Sequence, residues 1–87
     1  MHEASLMAGL VRKINAAAEA NRARRIVGVT VRLGALTHMS AEHFTEHFKR
    51  ATAGTVADGA RLDLTLSDDI RDADAQAILL QSLEVET

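Results

Sequence analysis

The first three residues, Met1-His2-Glu3, place several nitrogen donors where they can close chelate rings on one metal ion. The donors are the terminal amine, the backbone nitrogen of His2 and the His2 imidazole, with the backbone nitrogen of Glu3 as a fourth. Four coplanar nitrogens suit Ni(II) or Cu(II), which favour tetragonal fields, better than Zn(II), which favours tetrahedral ones. The same donors favour copper thermodynamically, so metal supply decides between the two. This chemistry needs Met1 to stay in place. A bulky second residue such as His2 generally blocks removal of the initiator methionine, so a mature Met1 amine is the expectation. The plainer alternative is that His2 binds nothing and that Glu3 only offsets the dipole of a helix starting beside it.

The other residues that could do chemistry are fewer. His38 precedes a helix in a loop, and if that loop approaches the amino terminus its imidazole can join a site centred on His2. His43 and His47 lie four residues apart on one helix, a spacing that can hold a metal, but outside an HExxH arrangement. Exposed helix histidines are the plainer reading of that pair. Ser5, Ser40 and Ser67 have no context that would make a nucleophile. Glu42 and Glu46 read most simply as solvated helix carboxylates. No acid, base or nucleophile constellation argues for an enzyme.

Elements able to position these residues follow from periodicity. Leu6, Leu10, Ile14, Ala17 and Ala18 recur at helical steps and predict an amphipathic helix over residues 4–20, with Asn21 as its stop. Residues 25–33 alternate and are rich in valine, which predicts a strand. Its expected faces are Val27, Val29, Val31 and Leu33 against Ile26, Gly28, Thr30 and Arg32. Ser40 is a good N-cap for a second helix carrying Phe44, Phe48 and Ala51 on one face, closed by Gly54 in a left-handed conformation. Leu62, Leu64 and Leu66 then mark a half-buried strand after a turn at Asp58-Gly59. A last strand over 77–86 is expected to turn Leu79, Leu83 and Val85 inward and Ile78 and Leu80 outward. The two late strands, joined by an acidic loop at 67–75, most simply pair antiparallel. The expectation is an α+β fold, with two helices packed on one face of a three-stranded mixed or antiparallel sheet.

Composition sets the limits. Eighty-seven residues make a single domain with an economical core, 47% apolar but with Phe44 and Phe48 as its only aromatic residues apart from histidine. No cysteine means no disulfide, no thiol nucleophile and no Cys-based zinc site. A net charge of −2 argues against nucleic-acid binding by phosphate neutralisation, although Arg22, Arg24, Arg25 and Arg32 form a basic cluster and Asp68, Asp69, Asp72 and Asp74 an acidic one. Without a membrane-spanning apolar run or a secretory start, the cytoplasm is the expected location.

Met1 to Leu6, the segment RRIVGVTVRLGAL at 24–36, GTVADGARLDL at 54–64 and LLQSLEVE at 79–86 together resemble the HypA-type hydrogenase nickel-incorporation proteins. That resemblance implies a cytoplasmic metallochaperone that binds Ni(II) and delivers it to the large subunit of a nickel–iron hydrogenase, alongside a HypB-type GTPase. It makes residues 1–87 a single nickel-binding-type domain, with His2 as the essential imidazole, Met1 as the amine and Glu3 as a backbone-nitrogen ligand. An assisting acidic side chain in some members would fall near Ser40, which is not acidic, leaving His38 or Glu42 as substitutes. Family members also carry two CxxC pairs between the second and third strands. Here the short loop at 67–75 stands in their place, so no zinc is expected. The alternative is a metal-independent adaptor module that keeps the fold and associates as a homodimer through Ile26, Ile78 and Leu80 on an exposed sheet face.

Overall fold

A computed structural model describes residues 3–87 as α1 (Glu3–Ala20), β1 (Arg25–Leu33), α2 (Ala41–Thr52), β2 (Arg61–Leu66) and β3 (Ile78–Glu86). Met1 and His2 lie outside the described residues. The sheet is mixed and three-stranded in the order β2-β1-β3, with β1 parallel to β2 and antiparallel to β3. One apolar cluster takes in both helices and one sheet face, with Ile14, Phe44, Phe48, Val29 and Val31 all essentially inaccessible. The α+β layering expected from periodicity is therefore present. No described helix is long and apolar enough to cross a membrane.

The expected pairing of the two late strands is overturned, because β1 lies between them. β2 follows β1 through α2, as a parallel neighbour must, since reversing direction twice requires a long crossover. The connection at 67–77 then has to pass over the C-terminal end of β1. Ser67 N donates to Leu33 O at 2.9 Å, Gly34 N to Ala77 O at 3.0 Å and Leu36 N to Ala75 O at 2.7 Å. The approach is so close that a Cβ on Gly34 would sit 2.3 Å from Ala75 O. On the far face, Arg32 ties the same loop down through Ser67 Oγ at 3.1 Å and Asp72 at 3.2 Å.

Two irregularities correct the expected strand faces. Register shifts fall between Ile26 and Gly28 on β1, and between Thr30 and Val31 against β3. The first leaves Val27 as an extra residue on β1, and the second leaves Gln81 as an extra residue on β3. Each bulge reverses the alternation, since side chains in a strand repeat every two residues. Ile26 thus joins Val29, Val31 and Leu33 in the core. On β3, Ile78 and Leu80 turn inward opposite Leu33 and Val31, while Leu79 pairs with Arg32 on the other face. The surface expected for homodimer formation does not exist, because Ile26 is fully buried, Ile78 nearly so, and Leu80 packs against the core. Leu66, expected to be half-buried, is 55% exposed at the end of its strand.

The outer face carries polar groups instead. Arg61 on β2 reaches across Gly28 of the central strand to Glu84 on β3 and also holds Asp63 at 3.0 Å. The hydrogen bonds to Glu84 and then Asp63 hold the guanidinium still more firmly protonated than an isolated arginine.

Helix α1 buries Met7, Leu10, Ile14 and Ala18, so the stripe is turned slightly from the one expected, with Leu6 and Ala17 on its flanks. It ends in a Schellman arrangement, with Ala23 N bonded to Ala18 O and Arg22 N to Glu19 O. Arg22 occupies the left-handed position that usually falls to glycine, at φ 52°. Helix α2 starts at Ser40 and is followed by Gly54 at φ 78°, as its sequence implies.

Two substitutions test these close constraints by urea denaturation. Gly34→Ala should lower stability by about 1–3 kcal/mol, because the new methyl group meets backbone that cannot rotate away. Arg22→Gly should raise it by about 0.5 kcal/mol, relief of the left-handed cost being partly offset by a looser unfolded chain.

Candidate metal centre

The start of α1 at Glu3 places the proposed chelate at a helix N-terminus. The first four N–H groups of a helix have no intrahelical partner. A metal can therefore take the Glu3 nitrogen without breaking a helical hydrogen bond. The remaining amine, amide and imidazole donors expected from the sequence belong to Met1 and His2, which fall outside the described residues. Among the described residues, no three His, Asp or Glu side chains converge on one point.

Two imidazole-bearing segments flank the beginning of α1. On one side the loop at 34–40 brings exposed His38 to a hollow of about 240 Å³ lined by Leu6, Leu36, Thr37, His38 and Gln76. The loop is fixed by Thr37, whose backbone nitrogen and hydroxyl both donate to Gly34 O, at 3.2 and 2.8 Å. His38 itself adopts a left-handed backbone at φ 57°. The loop thus shares this hollow with Leu6 of α1.

On the other side, His47 of α2 shares an open cleft with Ala4, Met7 and Ala8 of α1. Its ring stacks on that of His43, with centroids 4.5 Å apart. The sequence shows the spacing of this pair but not that His47 faces α1. The signal that could have located it is the small size of Ala4, Ala8 and Ala51, which keeps the cleft between the helices open.

Glu42 is placed differently from His38. It is exposed in the first turn of α2, where a carboxylate offsets the helix dipole, and it lines neither hollow beside α1. Ser40 is occupied as well, its hydroxyl accepting from His43 N at 3.0 Å. The position where the resemblance implies an acidic helper therefore caps a helix. Substituting Ser40→Ala should cost about 1 kcal/mol of stability, measured by urea denaturation, through loss of that cap.

The fold is shared with the solution structure of the Ni metallochaperone HypA from Helicobacter pylori, at a TM-score of 0.78 and 21% identity, covering 99% of this chain and 98% of that one. Residues 1–70 match a family model described as HypA, hydrogenase/urease nickel incorporation, metallochaperone. The chain belongs to the HypA family. It is 40% identical over 62 residues to the hydrogenase maturation factor HypA of Picosynechococcus sp., covering 71% of this chain and 55% of that protein. The corresponding protein of Archaeoglobus fulgidus is 35% identical over 66 residues, 76% of this chain and 60% of its own length. The chain thus spans little more than half the length of these relatives.

Proposed function

We propose that this chain binds one Ni(II) through the Met1 amine, the His2 amide and imidazole and the Glu3 amide, and delivers it in the cytoplasm during maturation of a nickel–iron hydrogenase. The observation that carries this reading is the family match, which runs from residue 1 and so takes in Met1-His2-Glu3, the last of which begins α1. The recipient is the hydrogenase large subunit, with a HypB-type GTPase as the partner in delivery. Binding and release of a cargo ion need no catalytic constellation. His38, in the loop that shares a hollow with Leu6 of α1, is the auxiliary donor in this reading, whereas Glu42 serves the dipole of its own helix.

The chain functions as a single nickel-binding domain, in which the loop at 67–75 takes the place of the family's zinc-binding segment. The fold then owes nothing to zinc: the apolar cluster and the hydrogen bonds of 67–77 to Leu33, Gly34 and Leu36 hold the sheet together. Dialysis against a strong chelator should leave the circular dichroism and the urea midpoint unchanged, whereas a zinc-dependent domain would unfold.

Isothermal calorimetry with Ni(II) tests the main proposal. The parent chain should show one tight site that weakens as pH falls, because protons compete for the amine, amides and imidazole. His2→Ala should abolish that site, and so should one extra residue ahead of Met1. Equal tight binding by His2→Ala would refute it.

A further inference from the structure

We propose that Gln76, on the connection from β2 to β3, is a positioning residue for the His38 imidazole. Its amide oxygen accepts from the N–H of one ring nitrogen and so leaves the other, with its lone pair, to meet Ni(II). The inference rests on the reading of His38 as an auxiliary nickel donor. A neutral imidazole carries its proton on one nitrogen only, and a histidine that ligates a metal normally has its remaining N–H held by an acceptor. A surface imidazole in water rotates and exchanges between both tautomers. An acceptor at a fixed place selects one orientation and one tautomer before the ion arrives.

His38 and Gln76 line the same hollow of about 240 Å³ beside α1, whose other lining residues are Leu6, Leu36 and Thr37. The two leucines offer no polar side chain, and the Thr37 hydroxyl already donates its proton to Gly34 O at 2.8 Å. Among the described residues, no hydrogen bond or ion pair engages the His38 ring or the Gln76 amide. The segments that carry them are tied together by backbone. Gly34 N donates to Ala77 O at 3.0 Å and Leu36 N to Ala75 O at 2.7 Å, so Gln76 sits between two bonds to the stretch that leads into His38. Ala77 N donates in turn to Asp74 O at 2.9 Å, which closes a turn over 74–77 and fixes the Gln76 backbone further. His38 for its part holds a left-handed backbone, at φ 57°, a conformation disfavoured for a residue with a Cβ. Strain of this kind persists where the surroundings enforce it and concentrates at functional positions. A neutral amide is suited to the task, because it orients the ring without adding a charge.

The first arm of the test needs no nickel. In the metal-free full chain, nitrogen-15 NMR spectra of the neutral His38 ring should show a tautomer ratio displaced from that of free histidine. Gln76→Met, of similar length but without the acceptor, should return the ratio toward the free value, and Gln76→Glu should restore the displacement. Gln76 is exposed, so the circular dichroism should stay unchanged in both variants. Nickel calorimetry is the second arm. Gln76→Met should weaken binding on the order of tenfold in the parent chain and not at all in a chain carrying His38→Ala. His38 nitrogen shifts that do not move in Gln76→Met overturn the inference, and so does an equal loss of nickel affinity in the presence and absence of His38. Nickel binding by His38→Ala as tight as the parent's overturns instead the reading of His38 as a donor, and the inference with it.

Discussion

Placing β1 between two strands that follow it in sequence obliges the connection from β2 to β3 to cross the end of β1, and the crossing is possible only because Gly34 has no side chain. The rest of the molecule is arranged around this passage. Leu33, Gly34 and Leu36 hydrogen-bond to the crossing loop, and Arg32 anchors it from the outer face. The same end of the sheet carries the loop at 34–40 that presents His38 and the cap that starts α2. The α1 flank meets that loop through Leu6. The constraint that closes the sheet therefore also holds the loop that meets α1 at Leu6.

The core explains why so small a domain can hold this arrangement. Phe44 and Phe48 stack at 6.2 Å and join aliphatic residues from both helices and all three strands. The outer face is left to ion pairs, with Arg61 bridging its two neighbours over Gly28. Such exposed pairs contribute little individually. Their more evident consequence is that the uncovered face is charged rather than apolar, which suits a domain whose other sheet face is already covered by helices.

Much of this was legible in the sequence, and the failures have identifiable causes. Helical and strand periodicities located all five elements, and Ser40 and Gly54 marked the ends of α2. The faces of Ile26, Ile78 and Leu80 were missed because a bulge inverts alternation without leaving a composition signal, and both β1 and β3 carry apolar residues in each phase. Strand order was missed because adjacency in sequence suggests a hairpin, whereas the long, aperiodic connection at 67–77 was the evidence for a crossing. At the site, the reach of His38 toward α1 was stated only as a condition, since a loop's path depends on the tertiary hydrogen bonds that hold it. The orientation of His47 toward Ala4 was illegible for a related reason: helix spacing fixes which residues share a face but not which neighbour that face meets.

The proposed function rests on a planar set of nitrogens drawn from Met1, His2 and Glu3, and the most direct measurement is the nickel-edge X-ray absorption spectrum of the chain loaded with one equivalent of Ni(II). It should show the pre-edge signature of a planar, four-coordinate ion, a first shell of nitrogen only, and outer-shell scattering from imidazole. A six-coordinate shell, or any sulfur ligand, would contradict it.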